Sequence, residues 1–218
     1  MSYTPVLIKQ NGIVYTRTIE ELAQNWEVYK GFLKNGTNKE KSENVDNIQT
    51  WTHDGWKTVV RVIRHKCAKK IYRVSTPTGI VDVTEDHSLL SHEGKLIEPK
   101  DLVVCKTILL HGFPDIENEI VHFPTKFENS FFKIDHHDQY IMQQYYMYYA
   151  SLGYEKYLSL YVLDNGLYRL VYNKSEIQNK YCVHNVKLIY ENYDDYVYDI
   201  ETRVGSFQAG IGKMIVEN

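Results

Sequence analysis

Short β-branched and aromatic runs, cut at close intervals by Asn, Gly and Pro, fill most of the 218-residue chain and constrain its fold more than any other feature. Such runs suit a pleated, half-buried surface, and the residues between them fix or permit the φ angles that reverse a chain. Asn11-Gly12 splits two apolar runs across residues 5–14, which predicts a tight hairpin because both residues tolerate positive φ. Thr18-Ile-Glu-Glu21 reads as a capping box that opens a short helix. Residues 34–43 are polar and turn-rich and read as an exposed loop. Strand patterns return at 48–51 and 56–65, then in a matched pair, 70–75 and 80–84, joined by Thr76-Pro-Thr-Gly79. The β pattern continues through 89–110 with a Glu93-Gly94 turn.

Past Gly112-Phe-Pro114 the period changes. Residues 135–153 predict a helix capped by Asp138 and stopped at Gly153, with Ile141, Tyr145, Tyr148 and Leu152 on its apolar face. Two strands follow, 157–163 and 167–172, turned by Asp164-Asn-Gly166, so a small α+β unit interrupts an otherwise β chain. The last forty residues revert to strands at 183–190, 196–202, 206–209 and 213–216.

Composition narrows the classes. With 25 Lys and Arg against 28 Asp and Glu, the net charge of -3 gives no overall basic field, which argues against nucleic-acid wrapping as the main task. The seven Lys or Arg between Lys57 and Arg73 read as a solvated strand face, with nucleic-acid contact as the minority reading. No apolar run reaches the roughly 18 residues of a membrane span. Cys67, Cys105 and Cys182 are far apart in sequence and form no Cys-x-x-Cys pair, which suggests neither a disulfide framework nor a zinc site and fits a reducing compartment. The nineteen tyrosines read as packing residues.

Two features stand apart from generic β protein. One is Thr84-x-x-His87 at the end of a hairpin strand; the other is a chain that closes on Ile215-Val-Glu-Asn218. In this order they resemble the inteins, self-splicing elements of the Hint fold. Trp51-Thr-His-Asp-Gly-Trp56, Thr78-Gly-Ile-Val-Asp-Val-Thr-Glu-Asp-His-Ser-Leu-Leu90, Leu109-Leu-His-Gly-Phe-Pro114 and Asp195-Tyr-Val-Tyr-Asp-Ile-Glu-Thr202 look like the inteins in family-B DNA polymerases of large DNA viruses. The resemblance implies a mainly β, horseshoe-like Hint fold in two parts, 1–114 and 178–218, around an inserted α+β unit, 115–177. That insert looks like an eroded LAGLIDADG-type endonuclease, since no acid-bearing LAGLIDADG helix can be read in it.

The resemblance also implies roles. His87 would act on the upstream scissile amide and protonate its departing nitrogen, Thr84 would donate to the oxyanion, and Asp199 would coordinate the first and second steps. Asn218 would cyclise on its own carbonyl. Family members begin with Cys or Ser, so Ser2 is the candidate first nucleophile, the alternative being that the first residue is replaced or absent. Glu217 stands where the family has a penultimate His and is a possible assistant, and the His usual near Gly205-Ser206 is missing; His53 or His184 could stand in for it. The implied partners are the chain's own flanks, from a DNA polymerase with Thr after Asn218. The element is expected to work as a monomer, without metal, cofactor or membrane, and with nucleic acid an unlikely partner, inside the infected cell's cytoplasm or viral factory. Two other readings stay open: a residual DNA-binding or homing endonuclease, and a catalytically inactive Hint relic.

Overall fold

The computed structural model describes residues 1–29, 39–43, 47–123 and 133–218. Its strands are β1 (Pro5–Gln10), β2 (Ile13–Thr18), β3 (Glu27–Val28), β4 (Lys39–Glu43), β5 (Gln49–Thr52), β6 (Gly55–Thr76), β7 (Gly79–Thr84), β8 (Leu89–Leu90), β9 (Leu96–Ile97) and β10 (Ile120–Val121). Then come β11 (Lys133–His136), the helix α1 (Gln139–Tyr149), β12 (Leu158–Val162) and β13 (Tyr168–Tyr172), followed by β14 (Asn185–Thr202), β15 (Ser206–Gln208), β16 (Ile211–Gly212) and β17 (Ile215–Glu217). No helix among the described residues is long and apolar enough to cross a membrane.

The β1–β2 hairpin turns on Asn11 and Gly12, at φ 51° and 79°, the two successive positive values that a tight primed turn requires. The backbone of the sheet is β6, which pairs antiparallel with β5, β4, β7 and, along most of its length, β14. The sequence predicts two strands where β6 is one, and two where β14 is one, because charged residues interrupt both patterns. In the fold those charges lie on an exposed two-stranded ribbon, where backbone pairing needs no apolar face, and Lys70 and Glu191 meet across it at 2.8 Å. The expected loop at 34–43 is corrected over its described part: Lys39–Glu43 is a strand against β6, while 34–38 lie outside the described residues. The basic run is not a free face either. Arg61 and Arg64 pair with Glu43 and Glu40 on β4, and Arg73 pairs with Asp82 on β7. Only half of the capping box forms: Thr18 N–H donates to Glu21 at 2.9 Å, but no side chain caps the short 3-10 turn Glu20–Leu22.

Alternation on the strands divides the buried residues between two cores. Val6, Ile8, Val81 and Val83 face a core shared with Leu89, Ile200, Phe207 and Val216. Leu7, Ile80 and Ile211 face the other way, against Met142 and Tyr146 of α1 and Leu158 and Leu170 of the sheet β11-β13-β12. Strands β1 and β7 are therefore covered on both sides. Each such fully buried aliphatic side chain is worth about 1.5–3 kcal/mol over its exposed state. Helix α1 begins where expected, with Asp138 accepting from the N–H groups of Tyr140 and Ile141. Its expected face is corrected: Gln139, Met142, Gln143, Tyr146 and Tyr149 are buried, whereas Leu152 is 46% exposed. Apolar periodicity misses this stripe because two of its positions are glutamines with partners across the interface. The first two residues of the expected helix, Asp135 and His136, belong instead to β11, an edge of the sheet β11-β13-β12.

Candidate functional site

A cavity of about 90 Å³ lies on the first core, lined by Met1, Thr84, His87, Asp199 and Val216 among others. The fold brings them together by three routes. The hairpin strand β7 delivers Thr84, and a turn closed by His87 N–H on Thr84 C=O, 3.1 Å, sets His87 three residues later. Pairing of Asp199 with Ile63 in the β14–β6 ladder supplies the carboxylate. The last strand, β17, enters between β15 and β8, with Val216 opposite both Phe207 and Leu89.

Enclosure dominates the electrostatics. The α-amino group of Met1 is pushed down to about 6 by burial, with Asp82 and Asp199 pulling the other way. Burial, then the positive charge of that amino group, holds His87 at about 4, so its imidazole is neutral at neutral pH. Asp199 moves oppositely: burial pushes its carboxyl up to about 6, against the Ile200 N–H that donates to it at 2.8 Å, and Glu217 adds to the rise. Two groups lining one cavity are thus shifted in opposite directions, a pattern that suits acid–base chemistry near pH 6–7. Thr84 reaches the cavity, but its hydroxyl donates to Asp86 at 2.9 Å, and Asp86 is also paired with Lys69.

The sequence-predicted residues divide accordingly. Thr84, His87 and Asp199 share the cavity; Ser2 is not among its lining residues, and its carbonyl accepts from Glu20 N–H at 3.4 Å. The residue the cavity receives is Met1. Asn218 also lies outside the lining: its N–H donates to Gly205 C=O at 3.2 Å, and its side-chain Oδ1 is buried without a hydrogen-bond partner. Gly205 sits at φ 71°, and a Cβ there would come 3.6 Å from that Oδ1. Beside it, His53 Nδ1 and Ser206 Oγ are 2.7 Å apart, so one of the two stand-in histidines does reach the Gly205-Ser206 corner. His184 does not: its backbone joins Ser75 C=O, and its ring tilts over Tyr161.

Asp82 and His53 are the residues that sequence reasoning passed over or left open. Asp82 carries a signal of its own, an acid in the buried strand Gly79–Thr84 whose neighbours are apolar. His53 carries none, because the contact spans 153 positions.

No protein-family model matches the chain. Over 121 residues, 53% of the chain, it is 46% identical to a DNA polymerase of Acanthamoeba polyphaga mimivirus. Over 96 residues it is 38% identical to a DNA polymerase of Thermococcus hydrothermalis. The chain spans about 7% and 5% of the length of these two proteins. Its structure is similar over its whole length to a crystal structure of the transcription factor IIB Mvu mini-intein, with a TM-score of 0.55 at 16% identity and 98% of that chain covered. It is likewise similar to a solution structure of the Pab PolII intein, with a TM-score of 0.53 at 12% identity and 98% coverage.

Proposed function

Since this chain has the mainly β Hint fold of the inteins and resembles segments of DNA polymerases, we propose that it is a protein-splicing element whose flanks come from such a polymerase. The observation that carries the reading is the cavity in which residue 1, Thr84, His87, Asp199 and the last strand converge. Splicing needs both junctions in one place, because the flank released at one must be captured at the other.

The chemistry divides between the two shifted groups. A hydroxyl or thiol at the upstream junction attacks the preceding carbonyl, the C–N bond breaks, and the freed nitrogen takes a proton. Neutral His87 orients and polarises the amide, and Asp199, near half-protonated at pH 6, carries the proton. Thr84 turns its hydroxyl from Asp86 to the developing oxyanion, an interaction stronger in the tetrahedral state than in the resting amide. Downstream, a Thr following Asn218 takes over the acyl group. The Asn218 Nδ2 then attacks its own backbone carbonyl, closing a succinimide and releasing the downstream amine. Glu217 assists through its charge on Asp199.

In this reading Ser2 is the first nucleophile and the scissile bond is Met1–Ser2, with the element acting as a monomer on its own flanks in a reducing intracellular compartment. Residues 115–177 are the eroded remnant of a LAGLIDADG-type endonuclease set into a Hint domain formed by 1–114 and 178–218. The placement of Met1 favours a second reading, an inactive relic, since a thioether has no proton to give up as a nucleophile.

The test is the chain between two soluble partner proteins, with Thr after Asn218, made with the native start and with Met1→Cys, followed by intact mass. Ligated flanks plus a free excised element establish splicing. Intact precursor in both versions selects the relic.

A further inference from the structure

A buried polar network ties the inserted unit to the splicing cavity. Asp82, on β7 two residues before Thr84, has a side chain with no exposed surface. Its carboxylate accepts from Arg73 Nε and Nη2, each at 2.7 Å, from the Tyr3 hydroxyl at 2.9 Å, and from the Gln139 Nε2 amide at 2.8 Å. Gln139 opens helix α1 of the insert, and the same amide donates to the Tyr168 hydroxyl on β13 at 2.8 Å. This orientation carries a cost, because the Gln139 Oε1 is left buried with no hydrogen-bond partner. An unpaired carbonyl oxygen is tolerated so that the amide donors can face the carboxylate.

The network reaches the reacting end of the chain. Tyr3 is two residues from Met1, and Thr4 N–H closes a turn on Met1 C=O at 3.1 Å, so the anchor on the Tyr3 hydroxyl fixes where residue 1 sits. A second glutamine one helical turn on, Gln143, exchanges hydrogen bonds with the backbone of Gly212, Gly212 N–H to Oε1 at 2.6 Å and Nε2 to Gly212 C=O at 3.3 Å. Helix α1 is therefore held in register against the Hint strands by two buried amides rather than by apolar contact alone. An isolated apolar interface could slide; hydrogen bonds to a buried carboxylate are directional.

We propose that Asp82 is a positioning residue for the upstream step, and that the inserted unit, through Gln139, holds it in place. The inference rests on the splicing reading and makes the remnant a working part of the site rather than a passenger. Losing one donor to a buried carboxylate slows the upstream step on the order of tenfold or more.

The experiment uses the full chain between its two flanks, in whichever of the native or Met1→Cys versions reacts. Upstream cleavage is read by trapping the ester or thioester with hydroxylamine, downstream release by the Asn218-dependent appearance of the free flank, and folding by thermal melting. Gln139→Leu and Tyr3→Phe should each slow upstream cleavage while downstream release stays near the unsubstituted rate, and the double variant should lose less than the product of the two. Tyr3→Phe removes a single oxygen, so it keeps the test sharp if Gln139→Leu does not fold. Equal losses at both junctions with a lowered melting temperature would reduce the network to a packing contact and overturn the proposal, as would unchanged rates. If neither junction reacts in any unsubstituted version, the splicing reading itself falls and takes this one with it.

Discussion

The two ends of the site are built on different physics. At the upstream end, ionisable groups are enclosed: burial holds His87 at about 4 and pushes Asp199 up to about 6. At the downstream end, Asn218 is held by backbone, its N–H on Gly205 C=O, and His53 is bonded to the Ser206 hydroxyl next along the chain from Gly205. In the proposed splicing, the upstream reaction would need a proton delivered to a poor leaving group, which enclosure that shifts pKa values would serve. The proposed downstream reaction would be intramolecular, within one side chain and its own carbonyl, so conformation would matter more than proton supply.

That contrast can be broken experimentally. The largest effect should come from Asn218→Ala, which removes the only nucleophile of the cyclisation. Downstream release should stop while the upstream ester still forms, and mass spectrometry of the accumulated branched species would check both halves. His87→Ala should cut upstream cleavage by on the order of 100-fold or more and leave Asn218 chemistry working. Loss of both steps together would mean that the two ends are not separable.

Asp199→Asn tests the proton carrier and carries a pH signature. The folded Asp199 carboxyl titrates near 6, above its unfolded value, so the native state binds more protons than the unfolded state between about pH 4 and 6. This group alone therefore makes stability fall as pH rises through that window. Asn removes the slope, so the variant should gain on the parent by on the order of 1–2 kcal/mol between pH 4 and 7, less than full linkage because Asp199 keeps an edge on the cavity. His87, with its folded value lowered to about 4, works the other way: stability rises with pH from 4 to about 6.5 as the unfolded imidazole loses its extra proton. Denaturant melts of Asp199→Asn and His87→Gln across pH 4–7 should show opposite slopes relative to the parent; parallel curves would remove the electrostatic contrast.

The smallest effect should be at His53. His53→Ala should slow downstream release by about threefold to tenfold, since it removes a hydrogen-bond partner of Ser206 rather than a reacting group. An equal slowing upstream would place the ring in the wrong half of the comparison.

Much of the fold was legible in local patterns. Asn11-Gly12, Thr76-Pro-Thr-Gly79 and Asp164-Asn-Gly166 mark three hairpins that form where expected, because a turn's φ requirements are local. Asp138 marks the start of α1 for the same reason. What failed were judgements of environment. The mid-strand charges of β6 and β14 read as breaks, and the polar segment Lys39–Glu43 read as a loop, because partners that neutralise a charge lie on other strands. The buried face of α1 lies about one residue from the apolar stripe, since Gln139 and Gln143 look solvent-facing until Asp82 and Gly212 supply their bonds.

The site followed the same division. Thr84, His87 and Asp199 could be singled out through the resemblance to the inteins that the surrounding motifs carry, and the three line one cavity. The sequence by itself determined the turns and the strand periods, which depend on neighbours a few residues away, and the resemblance of its motifs pointed to those groups. Only the tertiary structure decided that Met1 rather than Ser2 enters the cavity, that His53 reaches Ser206, and that Asp82 binds a residue of α1 57 positions on. Burial and hydrogen-bond satisfaction are properties of the packed whole, and they fix both where a side chain ends up and whether it holds its proton.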